Sequence, residues 1–249
     1  MHMNRRILTF SLFEAKAGLT PRQEAFLNRY TKGSWTYNPA TGLVDVNGDF
    51  NCSWKKAKTL RGVRFGKVSG DFDCQENKLT TLEGAPQEVG GDFDCYYNNL
   101  TSLEGAPQKV GGDFSCRENN LTSLEGAPQK VGGGFYCFEN NLTTLKGAPQ
   151  EVGGSFKCDA FSLDKGQWNL KGWLKVLKEG SPKAQKLILP FLPAKALNKE
   201  IQKDPAGMAM KLKEIWNDEG FRETRDQLVW PKGYEDEADL VGDLDDVGF

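Results

Sequence analysis

Gly91-Asp92-Phe93-Asp94-Cys95-Tyr96-Tyr97-Asn98-Asn99-Leu100-Thr101-Ser102-Leu103-Glu104-Gly105-Ala106-Pro107-Gln108-Lys109-Val110-Gly111 is one of four near-identical 21-residue copies, which begin at Gly70, Gly91, Gly112 and Gly133. A fifth copy, Gly154-Ser155-Phe156-Lys157-Cys158, stops matching after Leu163, and a looser one with Phe50 and Cys52 precedes the set. A fixed period in the low twenties marks a solenoid, in which each copy is one turn and none can bury its apolar face alone. Phe93 and Cys95 are two apart, so on a strand both point to the same side. With stacked strands about 4.8 Å apart, Phe50, Phe72, Phe93, Phe114, Phe135 and Phe156 are expected to form one internal ladder. Cys52, Cys74, Cys95, Cys116, Cys137 and Cys158 form a second.

The spacing Phe93-x-Cys95-x-x-Asn98-x-Leu100, with Gly90 before it, resembles the leucine-rich repeat, L-x-x-L-x-L-x-x-N-x-L. Gly, Phe and Cys stand at its first three Leu positions. The wording Leu-Thr-Ser-Leu-Glu-Gly-Ala-Pro-Gln-Lys-Val-Gly-Gly is similar to short 21-residue repeat proteins of bacteria and large tailed phages, mostly without assigned function. The resemblance covers roughly Gly48 to Leu163, under half the chain. It implies an α+β protein built on a leucine-rich-repeat solenoid with short parallel strands. It also implies that Asn77, Asn98, Asn119 and Asn140 satisfy backbone groups in the turn after each strand, and that the outward strand positions face a concave surface. Phe161 takes the Asn position in the fifth copy, as expected where the array ends.

Around the solenoid (residues 48–163) the text changes. Residues 1–19 read as a leader or arm, basic and then briefly apolar. Leu12-Phe13-Glu14 followed by Ala15 resembles the cleavage site of leaders on tailed-phage head proteins, which makes a virion-associated structural protein the alternative reading. Residues 20–47 read as an N-terminal cap. Thr20-Pro21-Arg22-Gln23 starts a helix with a capping box, and Ser34 to Val46 forms a hairpin turning at Asn38–Gly42. Such a cap keeps the first repeat's edge from pairing with another chain. Residues 164–232 read as a small helical domain with 14 basic and 9 acidic residues, and 233–249 as an acidic tail with seven acids and no base. Ser181-Pro182 and Asp204-Pro205 mark helix starts. No apolar run is long enough for a membrane span, and the net charge of −2 gives no general attraction to nucleic acid.

Catalytic chemistry is hard to find. The one histidine is His2, so Ser–His and Cys–His pairs and multi-histidine metal sites have no partners. All six cysteines fall on one inward repeat position, which fits small buried hydrophobes in a reducing cytoplasm (the host's cytoplasm or the virion if the protein is phage-encoded) better than a disulfide framework. Bacterial effector ubiquitin ligases join leucine-rich repeats to a helical domain with a catalytic cysteine, but no cysteine follows Cys158. The expectation is a non-enzymatic protein-binding module with no cofactor. The turn text barely changes between copies, whereas the outward strand positions do. Asp71, Asp73, Asp92, Asp94 and Asp113 lead into Tyr96, Tyr97, Arg117, Tyr136 and Phe138. These ten residues are the candidate concave site: aromatic and Arg anchors beside acids that steer a basic patch on a protein partner. Calcium held by the aspartates is a weaker reading, since no calcium-loop motif is present.

Overall fold

The computed structural model describes residues 18–213, 216 and 221–233. The leader motif at Leu12–Ala15 and the acidic stretch after Gly233 lie outside them. The described residues belong to two compact units. One holds residues 18–142 with Lys146–Gly154, and the other holds Thr143–Leu145 with the residues from Ser155 onward.

In the first unit, helix α1 (Pro21–Tyr30) starts with a complete capping box. The Thr20 side chain accepts from the Gln23 backbone and the Gln23 side chain accepts from the Thr20 backbone. Strands β1 (Thr31–Asn38) and β2 (Leu43–Asn51) follow as an antiparallel pair. β2 runs five residues further than the hairpin read from the sequence and carries Phe50 into the solenoid. Gly48 lies opposite Gly33, both at positive φ, and a Cβ on either would strike the other strand's backbone. β2 changes neighbours at this point. Its first half lies beside β3 (Phe65–Val68) and its last two residues beside β4 (Phe72–Asp73).

Two parallel ladders grow from that fork. One continues through β6 (Phe93–Asp94), β8 (Phe114–Ser115) and β10 (Phe135–Tyr136). The other continues from β3 through β5 (Glu88–Val89), β7 (Lys109–Val110), β9 (Lys130–Val131) and β11 (Glu151–Val152). The repeats therefore form a parallel-strand solenoid. The second ladder has no counterpart in the sequence reading, because Val89 and its copies have no second apolar residue two positions away and so leave no alternation to detect.

The interior follows the repeat. Phe50, Phe72, Phe93, Phe114 and Phe135 are fully buried, and the rings from Phe72 to Phe135 stack at 5.2–5.4 Å between centroids and within 8° of parallel. Leu79, Leu100 and Leu121, Leu82, Leu103 and Leu124, and Val68, Val89, Val110 and Val131 complete the packing. Each such side chain is worth about 1.5–3 kcal/mol of transfer free energy. All six cysteines are buried and none is in a disulfide. Burial pushes the Cys52 thiol up to about 12 and those of Cys74 and Cys95 well above the usual thiol range, so they stay protonated and inert.

The asparagines bridge turns. Asn98 Nδ2 donates to the carbonyls of Cys95 and Tyr96 in its own turn and of Cys74 in the turn before, while its Oδ1 accepts from the Leu79 N–H, also in the turn before. Asn119 and Asn140 repeat the arrangement one and two turns later.

In the second unit, β12 (Phe156–Lys157) pairs with β13 (Ser162–Leu163) as a tight antiparallel hairpin, where the earlier copies run on into a further turn. Helices α2 (Leu170–Glu179), α3 (Pro182–Ile188), α4 (Ala194–Ile201), α5 (Pro205–Lys213) and the short α6 (Arg222–Arg225) follow, with a 3-10 turn at Leu189–Phe191. Ser181 caps α3 and Asp204 Oδ1 accepts from Gly207 at the start of α5, as their Ser-Pro and Asp-Pro signatures imply. Trp168 stacks on Phe156 at 4.0 Å and meets Trp173 and Phe191 edge-on. Leu177, Leu187, Ile188, Leu192, Leu197, Met208, Leu212 and Phe221 are buried around them, whereas Trp173, Leu174 and Leu228 are only half-buried. No helix among the described residues is long and apolar enough to cross a membrane.

Candidate recognition face

The outward positions of the Phe-x-Cys strands form four rows that run from turn to turn. The first row is Asp49, Asp71, Asp92, Asp113 and Gly134. Its aspartates hold backbone. Asp71 Oδ1 accepts from the Asp92 N–H at 2.8 Å, Asp92 Oδ1 from Asp113 at 2.7 Å, and Asp113 Oδ1 from Gly134 at 2.6 Å. Strand geometry explains the need. In the Glu/Lys–Val ladder the N–H groups donate to the preceding turn, whereas Phe93, Cys95 and Tyr97 donate to the following one. The N–H at the reversal is left over, and the previous turn's carboxylate takes it. This row also accounts for a glycine. A Cβ on Gly91, Gly112 or Gly133 would occupy the space of the Asp71, Asp92 or Asp113 carboxylate.

The second row is Asn51, Asp73, Asp94, Ser115 and Tyr136. Asp73 is well supplied with donors: the Gln75 N–H, Gln75 Nε2 and Asn51 Nδ2 all reach it at 2.9–3.0 Å. The Asp94 carboxylate, one turn on, receives no hydrogen bond from the described residues. Burial, and then the charges of Asp73, Asp92 and Asp71, push its carboxyl up to about 6, against a smaller downward pull from Arg117. Tyr136 lies back over Gly134, in the space where the other turns carry the first-row aspartate side chain. Gly134 and Tyr136 are thus a matched exchange within one copy.

The third row is Ser53, Gln75, Tyr96, Arg117 and Phe138. The Arg117 guanidinium sits 4.1 Å from the Tyr96 ring centre and 5.7 Å from that of Phe138, and 3.7 Å from a Glu118 carboxylate oxygen. Residues from three successive turns make this layered stack, and all three are half-buried, where the sequence suggested free anchors. The fourth row is Trp54, Glu76, Tyr97, Glu118 and Glu139. Tyr97 is 55% exposed. Trp54, at 65%, is more so and was not among the sequence candidates; a tryptophan ending an outward row was the available signal.

The ten candidates therefore lie on one face with different tasks. Asp71, Asp92 and Asp113 hold the frame, Tyr96, Arg117 and Phe138 pack together, Asp73, Asp94 and Tyr136 fill the second row, and Tyr97 projects. No group of three or more His, Cys, Asp and Glu side chains among the described residues is placed to hold a metal ion.

Asp94 gives a pH test. Its folded-state pKa lies above the ordinary carboxylate value, so the folded state binds the proton more tightly. Stability is therefore greatest below the unfolded value and is lost as pH rises through about 6. Asp94→Asn should stabilise the protein by about 1 kcal/mol at about pH 7.5, after discounting for its partial exposure, and by almost nothing near pH 4. Urea unfolding at the two pH values measures this. A gain of equal size at both would show that charge is not the cause.

Comparison with protein-family models, with curated proteins and with solved structures gave no match.

Proposed function

We propose that this protein is a non-enzymatic recognition module of leucine-rich-repeat type. On this reading α1 and the β1–β2 pair act as its N-terminal cap, and it binds a protein partner on the face that carries Asp73, Asp94, Tyr96, Tyr97, Arg117, Tyr136 and Phe138. One observation carries the reading. The two positions that take the most different residues from copy to copy, Asp73/Asp94/Ser115/Tyr136 and Gln75/Tyr96/Arg117/Phe138, both fall on this face, and there they place aromatic and Arg side chains on a backbone fixed by turn-to-turn hydrogen bonds. Exposed loop-side positions such as Thr80, Thr101 and Thr122 do not vary at all, so exposure alone does not account for the differences. Anchors of these types dominate the binding energy of protein interfaces, and a rigid frame reduces the entropy lost on binding. The protonated thiols and the near absence of histidine leave the face with little catalytic chemistry.

Capture from bacterial lysates, with mass spectrometry, tests the proposal using wild type, Tyr97→Ala and the triple variant Tyr96→Ala/Arg117→Ala/Phe138→Ala. Tyr97 is exposed, so its variant should fold normally, and circular dichroism melts follow the triple variant because its three side chains pack on one another. A partner held by wild type and lost from both variants is the expected result. Equal capture by all three proteins would overturn the assignment of this face.

A further inference from the structure

The fourth row stands on unusual backbone. Trp54, Glu76, Tyr97, Glu118 and Glu139 all have left-handed conformations, with φ between 51° and 59°. A side chain costs roughly 1 kcal/mol there that glycine avoids. Backbone hydrogen bonds to the next turn hold Trp54, Glu76, Tyr97 and Glu118 in place. Tyr97 projects between Glu76 and Glu118, its neighbours in the row at about 4.8 Å per turn. Alongside run Asp73 and Asp94.

The charges of this patch are unbalanced. Across the four rows, the second to fourth turns carry Asp71, Asp73, Glu76, Asp92, Asp94, Asp113 and Glu118 against one cation, Arg117, which is already engaged by Tyr96 and Glu118. Lys55, Lys56 and Lys78 border only the first two turns, and Lys55 lies over Tyr30. Hydrogen-bond donors are short as well as cations. Asp94 has none among the described residues, and the buried Gln75 Oε1 also lacks one. An exposed aromatic ring flanked by Glu76 and Glu118, with the donor-less Asp94 carboxylate alongside, is complementary to an ammonium or guanidinium group, which brings positive charge, several N–H donors and affinity for a ring face.

We propose that the partner segment bound by this face is an extended peptide bearing lysine or arginine side chains, one of which lies over Tyr97 between Glu76 and Glu118 while another meets Asp94. This assignment rests on the recognition reading above and adds the chemistry of the occupant.

The test uses three labelled decapeptides in which serine alternates with lysine, arginine or glutamate. Their binding to the whole protein is followed by fluorescence anisotropy at moderate salt. The lysine or the arginine peptide should bind and the glutamate peptide should not. Tyr97→Ala and Asp94→Asn should each weaken binding about five- to tenfold. Glu83→Gln/Glu104→Gln, which removes two exposed carboxylates away from the four rows, should change it less than about twofold. Equal weakening by that control, or no weakening by Tyr97→Ala, would mean attraction to net charge alone and would overturn the proposal. So would the absence of binding by both basic peptides. If they fail to bind while lysate capture still depends on Tyr97, the cationic assignment falls and the recognition reading stands. If capture fails too, both fall.

Discussion

Asn98→Asp should be among the most damaging single-atom changes available to this protein. The Asn98 amide donates to three carbonyl oxygens at 3.1–3.3 Å and its oxygen accepts from a buried N–H at 2.9 Å, with the residue 7% exposed. Aspartate keeps the shape and the accepting oxygen but replaces the donor with a second, charged oxygen facing three carbonyls. Asn98→Ala removes the bonds and should cost about 3 kcal/mol, since buried carbonyls lose their partners. Asn98→Asp should cost roughly 1–2 kcal/mol more than that at neutral pH, because an unpaired buried charge is added. Its excess cost should shrink as pH falls and the carboxyl takes a proton with which to donate. Equilibrium urea unfolding of the two variants at neutral and acid pH would measure this. An aspartate variant as stable as the alanine one at neutral pH would show that the amide's donors are not engaged in solution.

Phe93→Ala is the second large effect, expected at about 3–5 kcal/mol from lost transfer energy and the cavity left behind. Phe93 is fully buried between Phe72 and Phe114, with parallel rings 5.4 and 5.3 Å away. Because each turn of a solenoid touches only its neighbours, stability is a sum of turn and interface contributions. A gap in the middle of the ladder should therefore weaken the coupling between its two sides as well as the whole. The unfolding transition should broaden as it shifts to lower denaturant. Phe93→Leu, which refills most of the volume, should cost much less. A shifted transition of unchanged steepness would mean that coupling passes mainly through the backbone ladders and not through the rings.

Much of the frame was legible because a 21-residue period writes each inward position several times over. Phe and Cys two apart give a strand, and their recurrence places the strands in register. The capping box at Thr20 and the Ser181-Pro182 start were readable from a few residues, since their chemistry is local. The second ladder was not, because Val89 and its copies stand without an apolar residue two positions away to make an alternating pattern.

The face was legible in position but less so in function. Asp71, Asp92 and Asp113 look like free outward charges until hydrogen-bond directions show the orphaned N–H groups that they satisfy. A trace did exist: the glycine that each carboxylate requires recurs at Gly91, Gly112 and Gly133, and the row ends where Gly134 replaces the aspartate. Nothing in the letters of Trp54, Glu76 or Tyr97 announces a left-handed backbone, which depends on how the chain leaves each strand. Nor do they announce that Arg117 is enclosed by rings from the turns on either side.

The aspartate row also gives the repeat a direction of inheritance. Each of the copies that begin at Gly70, Gly91 and Gly112 receives a carboxylate from the one before it and offers one to the one after, so the beginning and the end of each are complementary to the others. Recombination between out-of-step copies, which deletes or inserts 21 residues, joins ends that already match. The array can thus lengthen or shorten in a single genetic event without a defective seam. Gly134 closes that series, since its N–H donates to the Asp113 carboxylate and it has no carboxylate to pass on. New turns that keep the aspartate can enter upstream of it, while the other outward rows they bring with them remain free to diverge.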